Sequence, residues 1–214
     1  MVYRPTEKTE ARKAALKERL LDAALFLVAE GGFNALTVNA VAQKAGIATG
    51  AVYKHFDSKA QLCAAVFRIA TEKEVAMVKE AALRAGEPAM RLLDAIETFA
   101  VRALRGRRLA YALIAEPVDT LVDKERLHYR HAYAEIFQQL VEDGMRTGDF
   151  PAQESAVSAA ALVGVISESL VGPLSWETDT RPSLEQPALI RSIQGFCLRA
   201  VAMQALDDCR PPES

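Results

Sequence analysis

Between residues 37 and 59 the chain sets hydrogen-bonding side chains and small residues at spacings that suit contact with a polyanion. Asn39, Gln43, Lys44, Thr49, Tyr53 and Lys54 are interleaved with the apolar Val38, Val41, Ala45, Ile47 and Val52. That alternation buries one side of two short helices and leaves amides, hydroxyls and ammonium groups on the other, where a groove would lie. The small Ala42 lets two backbones cross closely. Gly46, four positions on, accepts the positive φ of a tight turn, so the segment has the spacing of a helix-turn-helix. Thr37 stands where the first of the two helices starts, and its hydroxyl and the neighbouring N–H groups can meet a phosphate oxygen. An ordinary helical hairpin is the competing reading, but such hairpins rarely combine a small residue and a turn glycine at this spacing.

Other chemistry finds little support. The three histidines, His55, His128 and His131, form no convincing site; His128 and His131 share a helix face at i, i+3 without a Cys or acid at a supporting spacing. Cys63, Cys197 and Cys209 are odd in number and contain no CxxC pair, which argues against a disulfide framework and a zinc site and for a reducing cytoplasm. No G-x-S-x-G elbow, H-E-x-x-H pair, P-loop or dinucleotide fingerprint occurs. The expectation is a protein that is not an enzyme and needs no metal or cofactor.

The elements that must position the 37–59 segment are helices. Apolar residues recur at helical spacing almost throughout. Helices are expected over about 11–30, ended by Gly31-Gly32; over 38–45, with Thr37 as N-cap; and over 49–55. A fourth, capped by Asp57-Ser58, runs towards Gly86 or breaks near Thr71. Further helices are expected from Pro88, before Pro117, over 123–147, after Pro151 and over 188–206. The fold class is all-α, of about nine helices: a three-helix helix-turn-helix DNA-binding domain over residues 1–70, and a C-terminal antiparallel helical bundle over 71–214.

From Arg19 to Val66 the chain resembles the DNA-binding domain of the TetR/AcrR family. The resemblance rests on Gly31-Gly32-Phe33, Thr37, Ala45-Gly46-Ile47, the run Gly50, Val52, Tyr53, His55 and Phe56, and Lys59. It implies a ligand-responsive transcription regulator, most readily a repressor, that binds palindromic double-stranded operator DNA as a homodimer. Residue by residue it implies phosphate contacts for Tyr53, His55 and Lys59. Thr49, Gly50, Ala51 and Lys54, on the start and outer face of the recognition helix, are the candidates for base edges. For His55 a second reading stands, a core histidine beside Phe56. The family commonly has Ser where this chain has Ala48, so Thr49 is the alternative cap for that helix.

Charge distribution agrees with this division. Residues 1–60 carry nine Lys/Arg against six acids, whereas the net charge of the whole chain is −2. The polar start, MVYRPTEKTE, does not read as a signal peptide, and the most apolar stretch, 159–166, is too short to span a bilayer. In the C-terminal domain Phe99, Tyr111, Glu116, Tyr129, Tyr133 and Trp176 are the candidate contacts for a small, largely apolar effector. Glu116 lies in line with Leu109, Ala112 and Leu113 and is expected to point inward. Its expected partner is Arg126 or Arg130, or else a ligand. Ala156, Ala160 and Gly164, with Leu189, Ile193, Phe196 and Ala200, give two helix faces suited to an isologous four-helix dimer seam.

Overall fold

In the computed structural model the described residues, 7–175 and 184–202, are organised by helices alone. They are α1 (Glu7–Ala35), α2 (Val38–Ala45), α3 (Thr49–Val52), α4 (Lys59–Ala82), α5 (Pro88–Arg105), α6 (Arg107–Ile114), α7 (Thr120–Thr147), α8 (Ser155–Leu174) and α9 (Gln186–Ala202). The chain forms two compact units. One gathers the described residues of 1–75, 102–129 and 171–180, and the other those of 76–101, 130–170 and 181–214.

Within the first unit α1 continues past the glycine pair at which it was expected to stop. Gly32 carries φ 71 and ψ −174, a kink, and a last turn follows to Ala35. The break is a positive-φ, extended-ψ departure that is essentially open to glycine alone. Leu20, Ala24, Val28, Phe33, Leu36, Val41, Val52, Leu62, Val66 and Phe67 are buried and form the core. Burying a side chain the size of Phe67 contributes about 2–3 kcal/mol, so this small core suffices to hold short helices that would not persist alone. α4 runs straight through Thr71, whose buried hydroxyl donates to the Phe67 carbonyl at 2.8 Å and so needs no break in the helix.

In the second unit Leu92, Ala95 and Ile96 of α5, Phe137, Leu140 and Val141 of α7, Leu162 and Ile166 of α8, and Ile193 and Cys197 of α9 are buried. Arg91 Nε donates to the Ala82 carbonyl at 2.7 Å and its Nη1 to Asp143 at 3.0 Å, which closes the end of α4 and ties it to α7. The thiols of Cys63 and Cys197 are both pushed up to about 11, chiefly by burial, so neither is available as a thiolate.

Candidate nucleic-acid interface

The helix-turn-helix is built by two caps. Thr37 is extended (φ −108, ψ 151) and its hydroxyl accepts from the Ala40 N–H at 3.1 Å, which starts α2 and leaves the hydroxyl hydrogen to donate outward. Gly46 ends α2 at φ 67, ψ 39. Its N–H donates to Gln43 at 3.1 Å, and the Ile47 N–H reaches back to Ala42 at 3.0 Å. Arg19 on α1 adds a long-range tie, its Nη2 donating to the Ala45 carbonyl at 2.5 Å. Sequence reasoning counted Arg19 only as charge; a partner 26 residues away leaves no local signature.

The recognition helix α3 is shorter than expected, Thr49–Val52, with Tyr53 as C-cap and 53–55 in a turn. Ala48 is its N-cap and offers no side-chain bond. Thr49 is therefore the first helical residue rather than the cap, and it is exposed. Val52 and Phe56 anchor the segment in the core, while Gly50, Lys54 and Lys59 are exposed, Ala51 is half-buried and Tyr53 is 53 % exposed. A Cβ added at Gly50 would meet nothing within 4 Å, so this face of the helix is open.

His55 is half-buried. Its pKa is lowered by burial first, then by the positive charges of Lys13, Lys17 and Lys54. Lys17 Nζ lies 5.8 Å from the centre of the Phe56 ring. A basic cluster drawn from α1 and the end of the helix-turn-helix thus surrounds the imidazole, an electrostatic setting suited to phosphate. Lys44 caps another ring, its Nζ 3.3 Å from the centre of Phe26 on α1.

The profile of bacterial regulatory proteins of the tetR family matches residues 20–66, the segment just described. Over 150 residues, 68 % of this chain and 72 % of the relative, the chain is 30 % identical to the HTH-type transcriptional repressor KstR2 of Rhodococcus jostii (strain RHA1). The chain belongs to the TetR family. As a TetR-family chain it is a transcription regulator, and its solved neighbours share the fold. FadR of Bacillus subtilis in complex with stearoyl-CoA superposes with a TM-score of 0.71 at 18 % identity, over 86 % of this chain and 98 % of FadR. RolR in complex with resorcinol gives 0.68 at 18 % identity, over 95 % and 98 %.

The residues expected to meet an effector divide between the units of this TetR-family chain. Phe99 and Tyr133 pair in the second, ring centres 5.1 Å apart. Tyr111, Glu116 and Tyr129 lie in the first, and Trp176 lies outside the described residues. Tyr129 is buried and donates its hydroxyl to Glu72 at 3.0 Å; burial and that bond raise its pKa. Glu116 points inward as expected, only 4 % exposed. Its oxygens accept from the backbone N–H groups of Phe33 at 2.9 Å and Asn34 at 3.1 Å, just past the kink in α1. Arg126 binds the main chain of the same corner, donating to the carbonyls of Leu113 (3.0 Å) and Glu116 (2.8 Å). Orphaned N–H groups at a helix break thus serve as partners for the carboxylate, an arrangement the sequence does not signal.

α8 also departs from expectation. At twenty residues it is long and apolar enough to cross a membrane by length and composition alone, and 28 % of its apolar window is buried. Ala156, Val157, Ala160 and Gly164 on it are exposed, as is Phe196 on α9 at 52 %. Ile193 is turned into the interior of the unit, whereas Leu189 and Ala200 remain accessible. A groove of about 570 Å³ runs between Gly164, Val165 and Glu168 of α8 and Leu189, Ser192 and Phe196 of α9.

Proposed function

We propose that this TetR-family regulator is a repressor that binds palindromic operator DNA as a homodimer and is released by a small, largely apolar effector. The observation that carries the reading is the open face of α3, exposed Thr49 and Gly50 beside half-buried Ala51, with exposed Lys54, set in the basic cluster of Lys13, Lys17, Lys54 and His55. Phosphate contacts from Thr37, Tyr53, His55 and Lys59 position the protein, and Thr49, Gly50, Ala51 and Lys54 read base edges. The partner that covers the apolar face of α8 and α9 is a second copy of this chain. The small residues Ala156, Ala160 and Gly164 let two such helices approach closely, and an isologous seam presents two recognition helices to a palindrome. This assignment, rather than a membrane, fits Glu168 lying in the groove.

Phe99 and Tyr133, paired in the second unit, are the proposed effector contacts. The ligands of the two solved neighbours, stearoyl-CoA and resorcinol, both carry apolar bodies with polar groups, which suits aromatic walls bearing hydroxyls. A hundredfold release from operator requires about 2.7 kcal/mol of differential effector affinity between the two forms. Footprinting on the chain's own promoter region is expected to reveal a protected inverted repeat, with half-sites about 34–36 Å apart or a small multiple. Titration of that complex with stearoyl-CoA and with resorcinol then tests release. Absence of any protected palindrome refutes the operator reading. A compound that binds tightly and leaves operator affinity unchanged refutes its role as effector.

A further inference from the structure

Among the described residues Thr71 and Glu116 are the buried polar or charged side chains, and Thr71 is satisfied within its own helix. Glu116 is not. A carboxylate is costly to bury, and a helix start is ordinarily capped by a short side chain at the break itself. Here the cap comes from 83 residues along the chain, at the corner that follows α6. A side chain at the break is disfavoured twice: Gly32 holds a φ of +71, and a Cβ there would stand 2.5 Å from Glu116 Oε2.

The cap closes a ring of four residues from four parts of the first unit. Glu116 takes the Phe33 N–H of α1, and its own carbonyl is held by Arg126 of α7. The Arg126 guanidinium lies 5.8 Å from the centre of the Phe67 ring of α4. Phe67 stacks on Phe33, ring centres 6.4 Å apart and 23° from parallel. α1 enters the helix-turn-helix and α4 leaves it, so this one ring holds both ends of the reading head.

We infer that Glu116 is a positioning residue for operator recognition: by capping the α1 break from the α6–α7 corner it fixes how rigidly the helix-turn-helix is presented, and with it the half-site spacing the protein accepts. The inference rests on the operator-binding reading above. Glu116 touches no DNA and contributes no base contact; it acts through Phe33 and Asn34.

The test uses the full chain as Glu116→Gln. The amide matches the carboxylate in size and keeps one acceptor, but sets an NH2 against a backbone N–H. Amide exchange at Phe33 and Asn34 is expected to accelerate at least tenfold. Affinity is then measured for the palindrome and for the same palindrome with two base pairs inserted at its centre. The ratio of the two affinities is expected to shrink at least threefold in the variant, because a looser head tolerates the wrong spacing. Loss of folded protein alone cannot move that ratio, since both DNAs are measured on one sample. Glu116→Asp, which keeps the charge but withdraws it by one methylene, is the second variant and is expected to act in the same direction. Faster exchange with an unchanged ratio would make the cap purely local and overturn the inference, as would unchanged exchange. A wild type with no spacing preference refutes the operator reading together with the inference; a preference that both variants keep refutes the inference alone.

Discussion

Gly50 offers a clean separation of folding from recognition. It lies in α3, exposed, and a Cβ built there meets no atom within 4 Å. Gly50→Ala therefore adds no clash within the protein. In a helix the exchange removes the entropic cost of glycine, about 0.5–1 kcal/mol, so stability is expected to be unchanged or to rise by up to that amount. For a chain of this size that corresponds to a rise in Tm of no more than about 4 °C. On operator DNA the sign reverses. If the α3 backbone approaches the bases at Gly50, the methyl group displaces neighbouring contacts, at about 1–3 kcal/mol, which is roughly a five- to 150-fold weaker Kd. Fluorescence anisotropy on the footprinted palindrome, with a thermal melt of the same preparation, reads both quantities. Wild-type operator affinity in the variant would show that this face of α3 does not meet DNA. A fall in Tm would show that the space around Gly50 is not open.

Lys59→Ala is expected to weaken binding to all sequences alike and to lower the slope of log affinity against log salt by about one, measured by titrations at several salt concentrations. His55, held low by burial and by Lys13, Lys17 and Lys54, regains a higher pKa when phosphates neutralise that cluster. Operator affinity is therefore expected to rise as pH falls from the bound-state to the free-state pKa of His55, and to lose that dependence in His55→Gln; a profile identical in both proteins rejects the contact. Phe196→Glu places a charge on the exposed α9 face and is expected to turn the proposed dimer into a monomer by light scattering, with loss of palindrome binding; a dimer that persists moves the seam elsewhere.

What was legible in the sequence is what is decided locally. α2 spans Val38–Ala45, as its two capping residues required, because Thr37 and Gly46 each act within five residues of themselves. The helix starting at Pro88 was likewise set locally, by a proline at a first helical position, whereas Glu116 turns inward from the corner after α6 rather than from a helix face. The remainder depends on partners far along the chain. The last turn of α1 after Gly32 is capped by Glu116, and the end of α2 by Arg19, and neither pair leaves a periodic trace. α4 stays continuous at Thr71 because a hydroxyl can bond back to the preceding turn, an option composition does not advertise. The candidate base-reading residues followed from the alternation of buried and exposed positions. The candidate effector residues, chosen only as aromatic or polar side chains on apolar helices, divide between two units.

The kink at Gly32 constrains how this chain can vary. Two independent obstacles meet at that one position, a φ of +71 and the carboxylate of Glu116 at 2.5 Å from any added Cβ. Shortening the side chain at 116 would clear the second but leave the first untouched. A selection for revertants of Gly32→Ala is therefore expected to return true reversions and distant global stabilisers, but no single intragenic suppressor at 116. The two positions are coupled in one direction only: glycine tolerates a change at 116, while Glu116 cannot rescue the loss of glycine.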